Sequence, residues 1–184
     1  MKKQQVVLRA AGQITGEKQF VIIGSQSLRG KHPDLADQIV MSAEVDLVAL
    51  KRPSVTDLLN VIGVDSPFHA SFGYYADPVD ATAAVLPRGW KNRLVQLPPG
   101  DTGGVKGLCL DPHDLAIAKY VARREKDRVF TRELARRGLV AQSRLLALLE
   151  RTPVRVETRD RIRADIMDDF GASGRIASSR GDQR

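Results

Sequence analysis

The fold class this 184-residue sequence predicts is α+β: a mixed sheet with flanking helices, followed by a C-terminal helical subdomain. Three observations predict it. A β-branched run, "KQFVIIG", ends at Gly24 and passes into a Ser-Gln-Ser turn. Several short apolar runs then follow one another, separated by Pro and Gly, as strands are. From Asp111 onward the apolar residues recur at helical spacing instead. The boundaries that follow are a core over 1–110, a helical subdomain over 111–170 and a flexible tail over 171–184.

In order along the chain, Gln4 to Gly12 reads as a short helix, and "KQFVIIG" as a buried strand. "SLRGKHPDLADQIV" reads as a turn or short helix, with "GKHPDLADQ" looping out. "SAEVDLVAL" has strand character, and "RPSVTDLLNVIG" reads as a helix opened by Pro-Ser and closed by Gly63. "PFHASFGYYA" alternates and is aromatic-rich, which predicts another strand, with Asp77 and Asp80 in the turn after it. "TAAVLP", "RLVQL" and "VKGLCL" are shorter strand candidates. "DPHDLAIAKYVARREKDRVFTRELARRG" reads as one long helix, with Asp111 as its cap, Pro112 in its first turn and Gly138 at its end. Two more helices are expected around "QSRLLALLE" and "ETRDRIRADIMDDF". The final "GASGRIASSRGDQR" has no periodicity.

Composition excludes several classes. The single cysteine, Cys109, cannot pair within the chain, and with three scattered histidines it cannot build a zinc site. No apolar run approaches a membrane span, and the N-terminus lacks a signal-peptide pattern, so a cytoplasmic location is the expectation. "GDTGGVKG" is not a P-loop, since no Lys-Ser/Thr pair follows its last Gly. Aromatic residues make up 5%, too few for a base-stacking platform. The net charge of +7 is uneven: Lys119 to Arg137 carries eight cations against three acids, which suggests an anionic partner or a solvated helix face. On a continuous helix, Lys119, Arg123 and Lys126 would share one polar sector, with Asp127 beside it and Ile117, Ala118, Val121, Ala122 and Val129 opposite.

The chemistry-bearing pattern is Glu44-Val45-Asp46. Side chains two apart in a strand share a face, so these two carboxylates repel unless a cation lies between them. Hard oxygen ligands of this kind suit Mg²⁺. With the Gly24–Ser25 turn just upstream, backbone N–H groups and a serine hydroxyl could grip phosphates while the acids hold the metal.

"VIIGSQSL" followed by "SAEVDLVAL" resembles the signature of the nucleotidyltransferase superfamily of the polymerase-β-like fold, a Gly-Ser turn and then an acid-x-acid pair. "PHDLAIAKYVARREKD" looks like a helix of AbiEii-type toxin nucleotidyltransferases, in which a lysine and a basic-x-Asp element lie beside the nucleotide. "SPFHASFGYYA", "VLPRGW" and "GLCLDPHDLAIAK" look like a bacterial family of nucleotidyltransferase-like proteins without an assigned function. The resemblance runs from about Arg9 to Leu139. It implies Mg²⁺ or Mn²⁺ at Glu44 and Asp46, and an NTP held by Gly24, Ser25, Gln26, Ser27, Lys119, Arg123, Arg124, Lys126 and Asp127. It also implies a third catalytic group on a later strand, for which the candidates are Asp77, Asp80 and His69. It implies transfer of a nucleotidyl group to an RNA (tRNA) or protein acceptor by an enzyme that could be a toxin paired with a small antitoxin. The alternative is a non-catalytic nucleotide- or RNA-binding module on the same fold.

Overall fold

The computed structural model describes residues 2–36, 40, 42–80 and 82–178, with side chains to residue 171. The chain divides into two compact units, Met1–Ala83 with Lys91–Asp111, and Ala84–Trp90 with Pro112–Arg184.

The first unit is built on a five-stranded mixed sheet. Its strands are β1 (Gln19–Ile22), β2 (Glu44–Val48), β3 (Tyr75–Pro78), β4 (Val95–Gln96) and β5 (Lys106–Cys109), in the spatial order β3-β2-β1-β5-β4. β1 lies at the centre, antiparallel to β2 and parallel to β5. β2 and β3 are parallel, with Glu44 opposite Tyr75 and Asp46 opposite Asp77.

One face of this sheet is apolar and covered. Phe20, Ile22, Val45, Leu47 and Ala76 form a core with Val7, Leu8 and Ala11 of α1 (Lys3–Thr15) and with Val55, Leu59 and Ile62. The last three lie four and three residues apart on Pro53–Ile62, which is helical as expected but wound as a 3₁₀-helix. That spacing turns one stripe inward. Complete burial of a side chain such as Leu8 or Phe20 contributes roughly 1.5–3 kcal/mol. α1 is longer than the sequence suggested and ends at Gly16, whose φ of 73° is the left-handed conformation that closes a helix.

"PFHASFGYYA" is not one strand. Pro67–Phe72 forms α2, with Ser66 as N-cap accepting the His69 N–H and Gly73 closing it at a φ of 70°. Only Tyr75–Pro78 is strand, so His69 is helical and Asp77 lies within β3 rather than in a turn. Ser-Pro before the segment and Gly after it are helix punctuation, and they prevail over the aromatic alternation. "TAAVLP" forms no strand among its described residues; Ala81 precedes it and lies outside them. Of the "GKHPDLADQ" loop, Asp37 and Gln38 also lie outside the described residues.

The second unit is helical: α3 (Pro112–Ala122), α4 (Glu125–Arg136), α5 (Gln142–Leu149) and α6 (Val156–Ser178). Leu115, Ile117, Leu134, Leu145, Leu149, Ile162 and Ile166 are fully buried or nearly so. The long helix expected from Asp111 to Gly138 is broken at Arg123, which has a φ of 53°. α4 then restarts with Arg124 as its N-cap. The break turns Ala122 and Val129, expected inside, outward; Val129 is 61% exposed. α6 carries helix through part of the stretch read as a tail, and residues 179–184 lie outside those described. Among the described residues no helix is long and apolar enough to cross a membrane.

Candidate functional site

The Gly24–Ser25 turn follows directly from β1. It continues as a 3₁₀ turn over Ser25–Gly30, with the Ser27 N–H donating to the Gly24 carbonyl at 2.9 Å. Gly24 is required here by close approach. A Cβ at this position would fall inside the carboxylate of Asp46, well under any real contact distance. The turn and the second acid of the pair are therefore in contact, and the Ile23 N–H donating to the Asp46 carbonyl at 3.2 Å fastens the two backbones.

Glu44 and Asp46 are both half-buried, while Val45 and Leu47 between and after them are fully buried in the core. The alternation predicted for this strand puts both acids on the face opposite that core. Register then adds Asp77 of β3, opposite Asp46, and Tyr75, opposite Glu44. The Tyr75 hydroxyl donates to Oε2 of Glu44 at 3.4 Å. Burial first, and then the charge of Glu44, push the Asp77 carboxyl above its ordinary value. Burial also raises the Tyr75 phenol, followed by Glu44 and then by the charges of Asp77 and Asp46. One phenol thus feels all three carboxylates.

The other two candidates for the third group have their own partners. Asp80 is exposed beyond β3, where its Oδ1 accepts from the Thr82 N–H at 2.7 Å and the Thr82 hydroxyl at 2.6 Å. Those two bonds hold it below its ordinary value, as in a turn-forming aspartate. His69 packs its ring on Tyr75 at 4.6 Å between centroids, and its Nδ1 accepts the Asp65 N–H at 3.1 Å.

Two turn residues expected to touch nucleotide are fully buried. Gln26 is fully buried; its Nε2 donates to the carbonyls of Val40 and Ser42, each at 2.8 Å, and its Oε1 accepts from Gln4. Ser27 is also fully buried, with its hydroxyl unpartnered among the described residues. Ser25 is the half-buried serine of the turn.

The cationic candidates belong to the helical unit. Lys119, with 20% of its side chain exposed, pairs with Oδ1 of Asp127 at 3.1 Å. Arg124 donates to Oδ2 of the same carboxylate at 2.7 Å. Asp127 is only 2% exposed. Burial pushes its carboxyl up, but the hydrogen bonds and charges of Arg124 and Lys119 outweigh that and hold it below its ordinary value. Arg123 pairs with Asp165 at 3.1 Å. Lys119, Arg123 and Lys126 do not share one helical ridge, because the chain turns at Arg123 between α3 and α4. Lys126 and Arg128 are exposed on α4.

Of the remaining candidates, His113 accepts the Ala141 N–H on Nε2 at 2.9 Å, tying α3 to the start of α5. Cys109 is buried, which pushes its thiol up to about 12 despite the Gly30 backbone N–H and disfavours the reactive thiolate.

Among the described residues, no group of three or more His, Cys, Asp and Glu side chains forms a ready-made metal cage. Mg²⁺ does not need one: it is usually held by one or two carboxylates together with substrate phosphates and water. Glu44 and Asp46 supply two hard oxygen donors on one face, beside a turn that presses on one of them. The donor chemistry fits such a cation.

The chain matches the family model described as "Nucleotidyltransferase of unknown function (DUF6036)" over residues 5–167. No curated protein and no solved structure matches it.

Proposed function

The chain belongs to this family of nucleotidyltransferases of unknown function, and from that premise we propose that it transfers a nucleotidyl group from an NTP to an acceptor hydroxyl in a Mg²⁺- or Mn²⁺-dependent reaction. The observation that carries the reading is the contact between the Gly24–Ser25 turn and Asp46, one of two half-buried acids on the face of β2 away from the core. Glu44 and Asp46 would hold the cation. When bound, the cation would neutralise charge on the phosphates at the reacting phosphorus.

Ser25 and the backbone of its turn bind phosphate oxygens in this reading, as serine hydroxyls and turn N–H groups commonly do. Asp77 accepts the proton of the attacking hydroxyl. Asp77 is half-buried and lies opposite Asp46 in the strand register, beside the acids that would hold the cation, where a general base is wanted. The acceptor oxygen bonds to the α-phosphorus, the bond to pyrophosphate breaks, and the proton leaves on Asp77. The acceptor is an RNA such as tRNA, or a protein hydroxyl. The resemblance to AbiEii-type toxins extends the proposal to a toxin restrained by a small antitoxin, acting in the cytoplasm.

Incubation with each labelled NTP, Mg²⁺ or Mn²⁺, total RNA and total protein tests the reading. Label should pass to one acceptor fraction, and Asp46→Asn should abolish it. NTP binding that persists with no transfer to any acceptor would instead make the protein a non-catalytic nucleotide- or RNA-binding module.

A further inference from the structure

We propose that Tyr75 is a positioning residue of the carboxylate face: its phenol fixes Glu44, and His69 fixes the ring of Tyr75. The inference rests on the cation-dependent reading above and adds residues to it.

Tyr75 opens β3 directly opposite Glu44. In a parallel pair, opposed residues project from the same face, so the phenol rises among the acids rather than into the core. Its hydroxyl donates to Oε2 of Glu44 at 3.4 Å. The His69 ring lies against it at 4.6 Å with a tilt of 59°. His69 is held in turn: the Asp65 N–H donates to its Nδ1 at 3.1 Å, and its own N–H donates to Oγ of Ser66 at 3.1 Å. Asp65 has a φ of 59°, the left-handed turn conformation that aspartate adopts more readily than most residues. The contacts therefore run without a break from the 65–66 turn through His69 and Tyr75 to Glu44.

A glutamate has several free torsions, and ordering them at the moment of cation binding costs entropy. A hydrogen bond to one carboxylate oxygen, made in advance, orders the group and leaves its other oxygen for the cation. Removing such a partner from a ligating carboxylate commonly costs 10- to 100-fold in metal affinity or activity. A tyrosine serving only to pack would present its ring to apolar neighbours and its hydroxyl to water. Here the ring meets a histidine and the hydroxyl meets a carboxylate.

The test is a double-mutant cycle on Mn²⁺ binding, read by electron paramagnetic resonance with a non-hydrolysable ATP analogue present. Wild type, Tyr75→Phe, Glu44→Gln and the double variant are compared, with thermal unfolding of each. Tyr75→Phe keeps the ring on His69 and removes only the hydroxyl. The expected result is about tenfold weaker Mn²⁺ binding in Tyr75→Phe and no further loss when it is added to Glu44→Gln. Wild-type affinity in Tyr75→Phe, with Glu44→Gln impaired, overturns the role of Tyr75 and leaves the cation reading standing. Equal losses in both backgrounds make Tyr75 merely structural and also overturn it. Failure of the wild type to hold Mn²⁺ at all overturns the cation reading, and the role of Tyr75 with it.

Discussion

Gly24 has no room for a methyl group because Asp46 already occupies the space, which makes this glycine a test of the site rather than of the fold. Gly24→Ala must push the carboxylate aside, and a carboxylate on a short side chain can move without breaking the core. The expected outcome is a fall in transfer rate of ~10²-fold, the cost typical of a displacement of about 1 Å in a reacting constellation, with a small change in melting temperature. Parallel rate and melting measurements check it; equal damage to both would assign Gly24 to the fold alone. Asp77 and Asp80 separate at the same scale. Asp77→Asn should lower turnover by ~10²–10⁴ while NTP affinity holds, whereas Asp80→Asn, whose carboxylate is spent on Thr82, should leave turnover near wild type.

The junction between α3 and α4 is held by one buried carboxylate. Asp127 sits in the first turn of α4, where Lys119 of α3 and the cap residue Arg124 both reach it. Replacing it with Asn leaves Lys119 without a counter-charge, so Asp127→Asn should destabilise the protein by about 1–3 kcal/mol, the cost of leaving a buried partner unsatisfied. Arg124, with 57% of its side chain exposed, loses little. The sign of the pH effect follows from the direction of the shift. The carboxyl is held lower in the folded chain than in the unfolded one, so its contribution is complete above the unfolded value near 4 and is lost as pH falls through the lower folded value. Urea unfolding from pH 7 downward should show wild type losing stability in that window and Asp127→Asn losing less. Identical slopes would mean that the carboxylate does not stabilise the junction.

At the scale of the molecule, charge divides with the fold. The residues of the sheet-bearing unit carry 11 Lys and Arg against 11 Asp and Glu, whereas those of the helical unit carry 18 against 11. The whole net charge of +7 thus belongs to the helical unit. Many of its arginines are already paired, as Arg123 is to Asp165, Arg132 to Asp169 and Arg136 to Glu133. Lys126 and Arg128 are exposed on α4 and available to an anion. Reversing both to Glu should lower the salt concentration at which the protein leaves a heparin column. The same charge change at the exposed Lys51 and Lys106 of the other unit should do less. Equal shifts would show that only total charge matters.

Local pattern determined the acid pair and the glycine turn before it, since strand alternation alone puts Glu44 and Asp46 on one face. It also held signals for α2, in Ser66-Pro67 and Gly73, that the aromatic run concealed. With that helix recognised, Tyr75 and Asp77 fall two apart on a short strand, which is as far as sequence could have taken them. Only the tertiary structure decided that β3 lies beside β2 in the register that sets Tyr75 against Glu44 and Asp77 against Asp46. Alternation fixes which way a side chain faces; pairing between distant segments is settled by the helices and core that pack around them. The break at Arg123 is a decision of the same kind. No glycine or proline marks it, and the ion pair across it, Lys119 with Asp127, joins residues that a single continuous helix would have kept apart.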